Sequence, residues 1–344
     1  MDNRSRTDVN KLGEFGLIDH LTKDFFPLNP TTTLGIGDDA AVISQKDGLS
    51  TVVSTDMLVE GIHFDMMYSP LKHLGYKAMV VNFSDIYAMN AIPKQALISI
   101  AFSNRYSVEA LEELYAGIQL ACKMYNVDLV GGDTTSSPRG MVLSVTAVGE
   151  AESDQIVRRK GAKPGDIICV TGDLGAAYLG LQLLEREKQV YLENPDIQPD
   201  LNKHPYLIER QLKPEARKDA VGYFHQHKLK PTSMIDISDG LASEVFHLCK
   251  QGGVGAFIEE SKVPIHPDVE SQALEFKINP ITCALNGGED YELLFTVDPK
   301  DLEKVRTMPD VFLIGDILKS EEGITLHTTG GKIVPLEAQG WKHF

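Results

Sequence analysis

Gly35-Ile36-Gly37-Asp38-Asp39, followed by the apolar run 40–43 (AAVI), is the stretch from which the fold can be read. Two neighbouring carboxylates repel by about 1 kcal/mol at 4 Å in water and about 4 kcal/mol at an effective dielectric of 20. A loop that carries such a pair is either a solvated acidic turn or the holder of a cation. Beyond it, residues 40–44 and 50–55 read as strands, joined by an Asp47-Gly48 hairpin turn. A helix is expected over 71–90, a strand over 96–102, and a helix from an N-cap at Ser107 to about residue 125. Residues 127–130 and 141–148 read as further strands separated by a polar loop. The order β-β-α-β-α-β-β belongs to a mixed α/β layer rather than to a regular doubly wound sheet.

The pattern pauses near Glu150, and a domain boundary is expected at 149–150, giving units 1–149 and 150–344. In the second unit the turn 161–166 leads into a strand over 167–171. Helices follow near 176–185 and 214–225, then a strand over 234–237 and a helix over 241–250 stopped by Gly252-Gly253. Further strands are expected around 256–259, 292–297, 311–317 and 324–328, and 187–205 reads as a polar surface insertion.

Composition narrows the function. At 344 residues, 42% hydrophobic and 24% charged, the chain is long enough for two cores and reads as globular. Its polar start lacks the apolar segment of a signal peptide, and no run reaches the roughly 18–20 residues that span a bilayer. Four widely spaced cysteines suggest neither a zinc site nor a disulfide framework, so a reducing cytoplasm is the expected location. A net charge of −16 argues against general nucleic-acid binding. An acidic protein binds phosphates through local basic groups, helix N-termini or metal ions.

Three stretches repeat one chemistry, an aspartate beside Ser, Thr or Gly at an expected strand end or turn. They are Ser54-Thr55-Asp56, Gly131-Gly132-Asp133-Thr134-Thr135 and Asp236-Ile237-Ser238-Asp239-Gly240. Each alone could cap a helix or start a turn. Asp85 resists that explanation. Leu74, Ala78, Val81 and Met89 form a helical stripe, and Asp85 falls within it, where an unpaired charge is costly. No Lys or Arg lies three or four residues away, which favours a metal over a local salt bridge. Hard oxygen donors without matched His or Cys point to Mg²⁺. P-loop and protein-kinase motifs are absent, and the G-x-G-x-x-A match at 35–40 precedes its strand and would aim carboxylates at a pyrophosphate.

Taken together, the motifs resemble the thiamine-monophosphate kinase family of the PurM-like superfamily. They are 35–39 (GIGDD), 54–64 (STDMLVEGIHF), 81–89 (VNFSDIYAM), 131–135 (GGDTT), 159–166, 235–241 (IDISDGL) and 287–293 (GGEDYEL). The resemblance implies a two-domain PurM-like fold, with the first unit forming a homodimer and the second completing the nucleotide and substrate site. It implies transfer of the ATP γ-phosphoryl group to thiamine monophosphate, with several Mg²⁺ ions and no general base. Asp39, Ser54, Thr55, Asp56, Asp85, Asp133, Asp236 and Asp239 match metal ligands, and Gly132, Asp133, Arg159 and Ser238 match ATP contacts. His63, Glu289 and Trp341 match contacts to thiamine monophosphate. His63 could equally be a satisfied structural residue, Trp341 a packing anchor, and Glu289 a turn residue. The segment 187–205 is longer than the family leads one to expect. The alternatives are another PurM-like ATP enzyme, such as the purine-pathway cyclase, and a non-catalytic cation- or nucleotide-binding protein.

Overall fold

The computed structural model describes residues 13–196 and 201–338. In chain order the first part comprises α1 (Gly13–Thr22), β1 (Thr32–Leu34), β2 (Ala41–Ser44), β3 (Leu49–Val59), α2 (Leu71–Ala88), β4 (Ile92–Phe102), α3 (Val108–Tyr125), β5 (Asp128–Ser136) and β6 (Val142–Glu152). Its strands form one mixed sheet in the order β1-β2-β3-β6-β4-β5. The hairpin forms as the Asp-Gly pair requires: Asp47 (φ 63°) and Gly48 (φ 80°) are both left-handed. Ser107 caps α3 by accepting from the Ala110 N–H at 3.3 Å.

Two motifs expected at strand ends lie inside strands. β3 is paired to β2 on one side and to β6, from Leu49 opposite Glu152 to Val59 opposite Val142, on the other. That ladder carries the backbone past Thr55, where the β-branched run ends, so Asp56 sits mid-strand. β5 likewise absorbs Gly131 to Thr135, which the sequence placed in a loop, through parallel pairing with β4. Glycines lower strand propensity, yet here one is required: a Cβ on Gly132 would meet the Ile98 carbonyl oxygen at 1.9 Å.

The second part comprises β7 (Ile167–Thr171), α4 (Ala176–Glu193), α5 (Pro205–Leu212), α6 (Lys218–His227), β8 (Ser233–Asp236), α7 (Leu241–Gly252), β9 (Val254–Glu259), α8 (Pro267–Glu275), α9 (Pro280–Asn286), β10 (Leu293–Val297), α10 (Leu302–Arg306), β11 (Val311–Lys319), β12 (Ile324–His327) and β13 (Ile333–Pro335). Its sheet runs β13-β12-β9-β11-β7-β10-β8. α4 extends eight residues beyond the expected end into the segment taken as an insertion, of which 197–200 lie outside the described residues. The helix expected over 214–225 begins later, at Lys218.

α2 joins the two parts. Leu74 and nearly every residue after it are buried, polar Lys77, Asn82 and Ser84 among them. One face packs on Val52, Leu58, Ile98 and Val145 of the first sheet; the same core continues into Met234, Phe295 and Val297 of the second.

Candidate active site

α2 is the spine of the site because adjacent residues on it grip different strands. The Asn82 side-chain oxygen accepts the Asp56 N–H of β3 at 2.9 Å. Ser84 donates to Asp236 Oδ2, at the end of β8, at 2.6 Å. Asp85 accepts from the Ser54 hydroxyl of β3. A fourth strut comes from the acidic loop: Asp39 Oδ1 accepts from Arg159 Nε at 3.0 Å and Nη2 at 2.5 Å. One carboxylate oxygen from each of Asp39, Asp85 and Asp236 lies within 4.8 Å of the others. Residues more than 150 positions apart in the chain thus share one small volume.

Charge is unbalanced there. Burial, followed by repulsion from Asp56, Asp236 and Asp39, pushes Asp85 well above the usual carboxylate range, against the Ser54 hydrogen bond. Burial and Asp39 push Asp236 up to about 7. Asp56 rises to about 6 through burial, Glu14 and Asp39. Asp38 rises to about 6 through burial and Asp39, opposed by the Arg159 backbone N–H bound to its Oδ1 at 3.1 Å. Asp39 is raised by burial despite Arg159, and its buried Oδ2 has no partner among the described residues. Clustered oxygen donors, an orphaned buried oxygen and too few cations fit a divalent ion such as Mg²⁺. The ordinary salt bridge considered for Asp85 is absent among its described contacts.

The remaining residues fall into two groups. Ser238, Asp239 and Glu289 flank the cluster: Glu289 N–H donates to the Ser238 carbonyl at 2.7 Å, and Tyr291 N–H to the Ile237 carbonyl at 2.9 Å. This seam holds Glu289 (φ 57°) and Tyr291 (φ 53°) left-handed, a strained conformation of the kind functional loops retain. Gly240, not Asp239, occupies the N-cap of α7, and the Asp239 N–H donates to buried Glu244 at 3.0 Å.

Thr55, Gly132 and Asp133 stand apart from the cluster, and His63 serves the turn after β3. Thr55 faces the open side of the first sheet, donating to the Val145 carbonyl at 3.0 Å. Asp133 lies opposite Ser99, in line with exposed Met57, whereas Asp56 aligns with buried Val145 and Ile98. β5 is also three strands from β3, roughly 14 Å at about 4.8 Å per strand. His63 Nδ1 accepts the Val59 N–H at 3.0 Å, closing the turn after β3. Trp341 lies outside the described residues.

Sequence reasoning missed Asn82 and Ser84 as struts, although both stand in the 81–89 motif, and it missed Glu244. Their signal was weak: a polar residue in an apolar helix marks a buried partner without naming it.

Residues 37–151 match the family model described as AIR synthase related protein, N-terminal domain. The chain is 35% identical over 339 residues to thiamine-monophosphate kinase of Bacillus subtilis (strain 168), covering 97% of this chain and 100% of that one. It is 37% identical over 339 residues to thiamine-monophosphate kinase of Aquifex aeolicus (strain VF5), covering 98% and 99%. Among solved structures, AaThiL complexed with AMPPCP and TMP has a TM-score of 0.83 at 36% identity, covering 99% of this chain and 100% of that one.

Proposed function

This chain belongs to the thiamine-monophosphate kinase family, with its PurM-like fold, and from that premise we propose how it acts as an ATP-dependent kinase of thiamine monophosphate. A phosphate oxygen of thiamine monophosphate attacks the γ-phosphorus of ATP, and the bond to the β–γ bridging oxygen breaks. The products are thiamine diphosphate and ADP. The attacking oxygen is already ionised, so no side chain need remove a proton, which suits a site of carboxylates without an evident catalytic base. The observation that carries the reading is the gathering of Asp39, Asp85 and Asp236 within 4.8 Å beside Arg159.

Asp39, Asp85 and Asp236 would hold Mg²⁺, with Ser54, Asp56 and Asp239 beside them. When bound, the ions supply charge screening between donor and acceptor phosphates and favour in-line geometry. Arg159, whose guanidinium bonds Asp39, would turn to an ATP phosphate, a role the family resemblance implies. Ser238 and Glu289 border the same volume. Roles for Thr55, Gly132, Asp133, His63 and Trp341 rest on the family resemblance.

A homodimer through the first unit is supported by the open face of its sheet, where Met57 and Leu97 are exposed. The division near residue 150 is supported by the two sheets, which draw on residues 32–152 and 167–335. A cytoplasmic location is supported by four free cysteines. Among the described residues, no helix is long and apolar enough to cross a membrane.

The test is phosphorus NMR of the chain incubated with ATP, Mg²⁺ and thiamine monophosphate. Paired diphosphate resonances of a new thiamine ester, appearing with ADP, are expected. ATP that persists while nucleotide binding is intact would leave the non-catalytic alternative standing.

A further inference from the structure

Lys77 is a cation buried where the phosphate chemistry does not use it. It projects from α2 at 5% exposure, and its Nζ donates to the Gln211 carbonyl at 2.9 Å and to Glu289 Oε2 at 3.1 Å. The second Glu289 oxygen, Oε1, also lies 3.1 Å from Nζ. The Gln211 side-chain amide adds a donor to Oε2 at 2.8 Å, while its buried side-chain Oε1 has no partner among the described residues. Glu289 is therefore gripped from beneath by two residues of different elements, with 28% of its side chain still exposed against 6% for Lys77.

A carboxylate engaged by an ammonium in this way is charge-compensated and is a poor counter-ion for a thiazolium. It keeps free lone pairs, since a carboxylate offers about four acceptor sites. Thiamine monophosphate carries one N–H donor, the exocyclic amine of its pyrimidine. We infer that Lys77 and Gln211 are positioning residues that fix Glu289 as an oriented acceptor for the pyrimidine amine. The ligand's pyrimidine end then lies at Glu289, with its phosphate toward Asp56 and Asp236. The inference rests on the proposed role of Glu289 in binding thiamine monophosphate and adds to it which ligand group is read.

The experiment compares kcat/KM for thiamine monophosphate and for the analogue in which oxygen replaces the pyrimidine amine. An oriented, half-buried acceptor built for an N–H donor should make the wild-type chain favour the amine by about 100-fold or more. Lys77→Met should cut that preference at least about tenfold and raise KM for thiamine monophosphate, with KM for ATP held within about twofold; Lys77→Arg should recover part of the preference. A merely structural lysine would instead lower the melting temperature and shift both KM values together. Should Lys77→Met fail to fold, Gln211→Leu carries the same comparison. A wild-type preference below about threefold, or a preference unchanged in the folded variants, overturns the inference. Glu289→Gln separates the two layers. If it leaves KM for thiamine monophosphate unchanged, the reading of Glu289 itself fails; if it raises KM while the Lys77 variant keeps its preference, only the inference fails.

Discussion

Two buried acidic regions lie side by side in this molecule and are built in opposite ways. Asp236 ends β8 directly opposite Leu293 of β10, one residue after Glu292. Glu292 is 2% exposed, yet Oε2 meets Arg217 Nη1 at 2.6 Å and the Thr171 hydroxyl at 2.6 Å, and Oε1 meets Arg210 Nη1 at 3.1 Å. By contrast, Asp39, Asp56, Asp85 and Asp236 surround Arg159, whose guanidinium bonds Asp39 among the described residues. Asp290 marks the limit of compensation: Arg210 is 3.9 Å away, and burial outweighs it and holds the carboxyl at about 7. The difference teaches that burial alone does not mark a functional acid. What marks it is the local count of cations at bonding distance.

That contrast breaks first if Asp85→Asn retains activity. The substitution should lower kcat by about 10³-fold or more while leaving the melting temperature unchanged or raised, because it removes a charge from a like-charged group. Kinetics and a thermal melt on the same preparation read both; a fall in stability with full turnover reverses the assignment. Glu292→Gln should do the converse. It removes the carboxylate nearest half-buried Arg210 and one of three paired with buried Arg217, and should cost about 3 kcal/mol in urea unfolding. Unfolding at the wild-type midpoint would erase the distinction.

A smaller effect sharpens it. In metal-free buffer, Asp236 at about 7 and Asp56 at about 6 stand above their unfolded value of 3.8. Their contribution to stability is complete below pH 3.8 and is lost as pH rises through 6 and 7. The melting temperature attributable to the cluster should therefore fall between about pH 4 and pH 7, and Mg²⁺ should restore about 2.7 kcal/mol at 100 times its Kd. The Asp39→Asn, Asp85→Asn double variant should show no Mg²⁺ effect, whereas Glu292→Gln should keep it. The smallest expected effect is that of Asp38→Asn. Its Oδ1 accepts the backbone N–H groups of Arg159 and Asp39, a role an amide oxygen can fill. Activity within a few-fold of wild type is expected from steady-state assay, and loss equal to that of Asp39→Asn would join Asp38 to the ligand set.

Legibility in the sequence followed locality. Asp85 could be singled out because helical periodicity placed it among apolar residues, and the hairpin because Asp47-Gly48 suits two left-handed residues. The extents of β3 and β5 were less legible, since pairing with β6 and β4 overrides the weak strand propensity of Asp56 and Gly131 to Asp133. The Arg159–Asp39 pair spans 120 residues, Ser84–Asp236 spans 152 and Lys77–Glu289 spans 212. No periodicity connects such positions.

The mixed α/β class, most element positions, the acidic motifs and, through their order, the family resemblance could be read from the chain alone. Those follow from local backbone preference and from residue chemistry that is present before folding. Packing in three dimensions decided which acids meet, that the Arg159 guanidinium bonds Asp39, that Glu292 is neutralised where Asp236 is not, and that Lys77 stands under Glu289. Charge balance is a property of neighbours in space, and α2 packed between the two sheets is what makes them neighbours.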